Sequence, residues 1–277
     1  MQNIIAQHEA EQRKKLKAIS LCSGIGAWDM SIEEGGYDIV LQVEKDQTKQ
    51  AVLEDAFPHI PKCEDVDILL KEGPIKYGLN AEELTVFAGL PCQPLSTAGP
   101  QRGSKSDNYL WGKFVDLTDK YRFRTVVLEN VKGAVRHKDG LPYLRTCMAR
   151  LSYNERFSAI IPASAFGLPH ERYRLFTVFG RDKIFSDADG IRRYLRGLSS
   201  IEGPKVFTRG EFEQSLQESG IECTLDGTPD KADRELLQGI GNAVEHETGL
   251  FIAKVVRYYD EFWYESEVGR KAVKTPG

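Results

Sequence analysis

The sequence predicts an α/β fold: a mostly parallel sheet with helices on both faces, and a small lobe late in the chain. Three observations carry this. Short apolar runs alternate with amphipathic stretches as far as about residue 180. Polar or unusual groups recur at the carboxyl ends of those runs, where ligands sit in such sheets. The pattern weakens between residues 181 and 233, then returns.

The elements follow in order. Residues 17–22 are an apolar run that stops at Ser23-Gly24-Ile25-Gly26, a buried strand passing through a tight turn into a helix. Residues 37–43 form a second run, ending at Glu44. Residues 46–56 read as a helix, with Asp46 as N-cap and Pro58 past its end. Strands are predicted at 84–88, 125–128, 157–161 and 174–179, and helical stretches at 113–121 and 141–151. A polar, Gly- and Ser-containing lobe occupies 181–233. Order returns at 236–241 and continues as an amphipathic helix from Asn242 to about residue 262, with Val244, Phe251, Ile252, Val255 and Val256 at roughly helical spacing. The expected organisation is a catalytic and cofactor-binding domain over 17–180, the lobe, and a returning C-terminal helix over 234–265.

Composition narrows the class. No apolar run approaches the roughly 18 residues needed to span a bilayer, and residues 1–17 lack an apolar signal core, so a cytoplasmic protein without membrane contact is expected. The five cysteines are odd in number, scattered and never C-x-x-C, which argues against a disulfide framework and a zinc site; no metal is expected. The net charge of −4 conceals an asymmetry. Between Arg102 and Arg196 stand 19 Lys and Arg against 10 Asp and Glu, a basic middle able to face phosphates.

Ser23-Gly24-Ile25-Gly26 lacks the third glycine of a dinucleotide fingerprint, Asp29 standing there instead. A plain tight turn is one reading; Glu44 at the end of the next run favours another, because a carboxylate there can accept both hydroxyls of a ribose. Asp65 is placed to accept from an adenine amino group. Phosphate-cradling features are missing, which favours S-adenosylmethionine over a nucleotide. Cys92, between Pro91 and Gln93 just past a predicted strand, is either a small apolar residue or a nucleophile whose thiol needs local activation. The polar stretch 97–108 reads as a loop able to close over a polyanion. Glu129 ends another apolar strand as a structural cap or a catalytic acid. Arg172 and Arg174, two residues apart, point the same way from a strand, as surface ion-pair partners or as donors aimed into a site.

Cys-Ser-Gly-Ile-Gly at 22–26, Pro-Cys-Gln at 91–93, Glu-Asn-Val at 129–131, Arg-x-Arg at 172–174 and Gly-Asn-Ala-Val at 241–244 occur together, in an order and at separations that resemble those of the DNA cytosine-C5 methyltransferases. The resemblance covers roughly residues 17–180 and 205–260. It implies a Rossmann-like S-adenosylmethionine-dependent methyltransferase fold and transfer of a methyl group to carbon 5 of a flipped-out cytosine in DNA, as in restriction-modification. Cys92 would add to carbon 6, Glu129 would serve N3, and Arg174, supported by Arg172, would hold O2. The cofactor would lie against Cys22, Ile25, Gly26, Glu44, Lys45, Asp65, Val66, Pro91, Leu110, Asn242 and Ala243. Gln93, Ser96, Arg102, Lys105, Arg192 and Arg193 would meet DNA.

Departures from the family pattern are local except one. Cys22 replaces an aromatic residue, Lys45 a bulky one, and His170 the Gln of Gln-x-Arg-x-Arg. The larger departure is the target-recognition region, because residues 208–217 resemble the segment that usually follows it, leaving about 181–206 to read DNA. Recognition is then short or relaxed, supplied by a second polypeptide or another copy, or directed at something other than ordinary duplex. A tRNA cytosine-C5 methyltransferase ranks lower for want of a Cys-Phe-Thr segment. A non-catalytic DNA-binding subunit is disfavoured by intact Cys92, Glu129, Arg172 and Arg174, and a nicotinamide oxidoreductase by the incomplete glycine fingerprint.

Overall fold

The computed structural model describes residues 16–91, 110–166, 172–181 and 244–273, with side chains of the last helix as far as Glu261. Cys92, Gln93, Ser96, Arg102, Lys105, Arg192, Arg193, Asn242 and Ala243, and the expected lobe, lie outside the described residues.

Seven strands form one sheet: β1 (Leu16–Leu21), β2 (Tyr37–Val43), β3 (Lys62–Cys63), β4 (Thr85–Gly89), β5 (Thr125–Val131), β6 (Asn154–Pro162) and β7 (Tyr173–Gly180), in the order β3-β2-β1-β4-β5-β7-β6. The first five run parallel, while β7 lies antiparallel between β5 and β6. The mostly parallel α/β class holds, with the hairpin of β6 and β7 closing one side. Strand order reverses direction at β1 and β4, the switch point where a crevice opens beyond the carboxyl ends.

Among the described residues, six helices cover the sheet: α1 (Ala27–Glu34), α2 (Gln47–Ala56), α3 (Val66–Glu72), α4 (Leu110–Tyr121), α5 (Leu141–Arg150) and α6 (His246–Val273). Alternation along the strands sorts the core into two layers. Val126 and Leu128 pack with Leu69, Phe114, Leu117 and Leu144 of α3, α4 and α5. Val127 packs on the other face with Trp28, Ile32, Leu53, Ile252 and Val256 of α1, α2 and α6.

In β2 this alternation changes face midway. The β1–β2 register shifts between Ala18 and Ile19, leaving Val40 as an extra residue, so Tyr37 and Ile39 serve the second layer but Leu41 and Val43 the first. The inserted residue also brings Gln42 Nε2 to 2.6 Å from Asp29 Oδ2 on α1.

Asp46 caps α2 by accepting from the Lys49 amide, as its position before the helix predicts. The last helix begins at His246 rather than Asn242, Val244 and Glu245 being non-helical, and runs on to Val273. Its fully buried Asp260 reaches under the amino ends of three strands, accepting from Tyr37 Oη at 2.8 Å, Thr85 Oγ1 at 2.5 Å and Thr125 Oγ1 at 2.5 Å. Arg124 adds an ion pair at 3.2 Å. Helix α6 is thereby pinned at Asp260 beneath the sheet, opposite the edge where the crevice opens.

Candidate active site

The carboxyl ends of β1 to β5 carry the turn at residues 22–26, Glu44, Asp65, Pro91 and Glu129 along one edge. The turn is built by left-handed backbone: Cys22, Gly24 and Gly26 have φ of 57°, 61° and 84°. Gly26 has a second reason to lack a side chain, since a Cβ there would stand 2.5 Å from the Phe57 ring. Below it, buried Asp29 accepts from Ser20 Oγ and Gln42 Nε2, both at 2.6 Å, joining β1, β2 and α1. Burial, opposed by these hydrogen bonds, raises its carboxyl to about 6.

Glu44 is held by three backbone amides. Gly24 N donates to Oε2 at 2.8 Å, and Lys45 N and Asp46 N donate to Oε1 at 3.0 Å each. A carboxylate offers about four acceptor positions, so it is oriented and retains capacity toward the crevice. Asp65 is occupied differently: it caps α3 through the Asp67 amide at 2.9 Å and pairs with Lys45 Nζ at 2.9 Å. Burial opposes its charge, but that amide and the ammonium prevail and hold the carboxyl below its usual range. Burial, with Glu44 and Asp65 adding to it, pushes the Cys22 thiol well up, so Cys22 presents a neutral surface. Ile25 and Leu110 are half-buried, Val66 is buried and Pro91 exposed.

Gly89 stands between the turn and the acid. A Cβ placed there would lie 3.7 Å from Cys22 O and 3.9 Å from Glu129 Oε2. Asn130 braces the same corner, its Nδ2 donating to Leu90 O at 3.0 Å, immediately before Pro91.

Glu129 is buried, with Arg174 Nε 2.9 Å from its Oε1. Burial raises its carboxyl to about 7 in spite of Arg174 and Arg172, with Glu245 adding to the rise. Arg172 turns to Glu245, its Nε lying 3.0 Å from Oε1. The two arginines therefore meet separate carboxylates. Sequence reasoning missed Glu245 and Asp29; the first directly follows the Gly-Asn-Ala-Val segment, and the second occupies the vacant third-glycine position. Among the described residues no cluster of His, Cys, Asp or Glu could hold a metal, and no helix is long and apolar enough to cross a membrane.

The chain resembles Type II methyltransferases: M.DsaV of Dactylococcopsis salina, 31% identical over 62% of this chain and 48% of that protein, and M.HhaI of Haemophilus parahaemolyticus, 26% identical over 74% and 58%. It spans about half the length of these relatives. Its fold is shared with the Dnmt2 methyltransferase of S. pombe, with a TM-score of 0.52 and 18% identity over 68% of this chain and 56% of that one. A family model, C-5 cytosine-specific DNA methylase, matches residues 16–196, and the chain belongs to that family.

Proposed function

We propose that this protein methylates carbon 5 of cytosine in DNA, with S-adenosylmethionine as methyl donor. The observation that carries the reading is Glu129, a buried carboxyl that titrates near neutrality, separated only by Gly89 from the turn that Glu44 braces. A base-protonating acid and a nucleoside site are thus neighbours.

The residues present fit the donor. Glu44, oriented by three amides, is suited to accept from ribose hydroxyls, and the left-handed turn lets a ligand approach backbone closely. Asp65 meets an adenine amino group by sharing the carboxylate that already caps α3. When bound, the donor supplies an electrophilic methyl group. Cytosine carbon 5 is a poor nucleophile, and the Cys92 thiolate overcomes this by forming a bond to carbon 6, which makes carbon 5 electron-rich. Glu129 in its protonated form donates at N3 and offsets the charge that builds on the ring. Arg174, fixed against Glu129, holds O2. Once carbon 5 has taken the methyl group it gives up its proton to solvent, the Cys92–carbon 6 bond breaks with its electron pair returning to sulfur, N3 returns its proton to Glu129, and the ring regains aromaticity. A stacked cytosine offers neither carbon 6 nor N3 to these groups, so the base is flipped out, and Gln93, Ser96, Arg102, Lys105, Arg192 and Arg193 are the residues assigned to meet the DNA.

Transfer of labelled methyl from S-adenosylmethionine to duplex DNA, single-stranded DNA and tRNA, beside a Cys92→Ser variant, tests this. Label on duplex cytosines by wild type but not by the variant is expected. Label confined to tRNA overturns the choice of substrate. Cofactor binding without any transfer points to a separate recognition polypeptide.

A further inference from the structure

Two guanidiniums and two carboxylates, Glu129 among them, form one wall of the site. Among the described residues the charged groups facing Glu129 are Arg174 and Arg172, from β7 and the residue before it, and Glu245, from the segment entering α6; β4 presents only Gly89. Both Glu245 oxygens are shut off from solvent and accept no hydrogen bond among the described residues, so the Arg172 ion pair is what compensates them. A buried carboxylate is poorly tolerated without a cation beside it, which ties Glu245 to Arg172.

Counting charge shows the consequence. Among the described residues, Arg172, Arg174, Glu129 and Glu245 sum to zero when Glu129 is ionised. Without Glu245, the sum is positive even then, and a proton on Glu129 adds to an existing excess. We propose that Glu245 is a positioning residue for methyl transfer: its carboxylate pairs with Arg172 and offsets that charge beside Glu129, so that Glu129 keeps a proton for the bound base. The inference deepens the function proposed above and rests on it.

Carbon-13 NMR of carboxyl-labelled glutamate in the full chain, with Glu129 assigned by Glu129→Gln, measures the Glu129 midpoint without substrate. In Glu245→Gln that midpoint is expected to fall by about one unit. The alkaline limb of label transfer should move down with it, a loss of about tenfold above the limb, while the KM for S-adenosylmethionine stays unchanged. The double variant Arg172→Gln/Glu245→Gln, balanced again, should return the midpoint toward wild type. An unmoved or raised midpoint in Glu245→Gln overturns the proposal, as does a double variant that keeps the lowered value. If Glu245→Gln does not fold, Arg172→Gln alone must raise the midpoint, and failure to rise overturns it. A shifted midpoint in a chain whose wild type transfers no label supports the hold of Glu245 on Glu129 and sinks only the methyl-transfer reading.

Discussion

Glu129 combines two demands that conflict in most carboxylates. Burial favours its protonated form, while Arg174 and Arg172 beside it favour the ionised one. Burial wins here, and the carboxyl titrates near 7 rather than near its usual 4.5. Folding therefore favours the protonated form, and stability from this group is complete below about 4.5 and lost as pH rises through about 7. Replacing Glu129 by Gln, which resembles the protonated group in shape and charge, should separate chemistry from stability. Label transfer is expected to drop by about 10²–10⁴-fold, while chemical denaturation at pH 8 should show a gain on the order of 2 kcal/mol. A variant less stable than wild type at pH 8 would mean that the Arg174 ion pair outweighs burial. Glu44 follows the opposite design: three amides surround its charge, so it serves as a fixed acceptor rather than a proton donor.

Single elements achieve their placement through contacts far apart in sequence. The extra residue in β2 turns Gln42 toward Asp29 and so stiffens the turn after β1 from beneath. Helix α6 fills the second core layer with Ile252 and Val256 and adds the buried polar contacts of Asp260. The acid sits among Tyr37, Thr85, Thr125 and Arg124, drawn from β2, from β4, from β5 and from the residue before β5. Removing a partner from such a buried network leaves an uncompensated cation and several orphaned hydroxyls. Asp260→Ala is expected to cost about 3–5 kcal/mol, read as a lowered denaturation midpoint. A loss under 1 kcal/mol would show that apolar packing alone holds the helix. Because α6 is continuous with the segment bearing Glu245, the same variant loosens one wall of the site.

Across the whole molecule three buried acids bend stability with pH in two directions. Asp29, raised to about 6, and Glu129, raised to about 7, both take up protons on folding, so each contributes stability at low pH that fades as pH climbs through those values. Burial opposes the charge of Asp260, but Arg124, Arg156 and two threonine hydroxyls hold its carboxyl below 3.8, so its contribution is present above that value and lost as pH falls below it. Thermal unfolding should therefore show the highest Tm near pH 4, falling on both sides. A Tm that rises steadily from pH 6 to pH 8.5 would contradict the assignment of Asp29 and Glu129 as proton-binding on folding. Asp260→Asn should flatten the acid side alone.

Much of this was legible from residue order. Alternating apolar runs specified the strands at 84–88, 125–128, 157–161 and 174–179 to within a few residues, because strand burial is recorded locally in side-chain type. The left-handed turn was legible because Gly24 and Gly26 advertise it, and the Asp46 cap because capping acts within one helical turn. Strand β3 and helix α3 were not singled out, being too short for periodicity to speak. Motif spacing named Glu129, Arg172 and Arg174, but could not say that the arginines part to separate carboxylates. The tertiary structure alone decided the Gln42–Asp29 bond, the meeting of Arg172 with Glu245, and the seat of Asp260 beneath strands more than a hundred residues away. The physical reason is that propensity and hydrophobic pattern act over a few residues. The charge balance of a buried site depends instead on which distant side chains share one low-dielectric space.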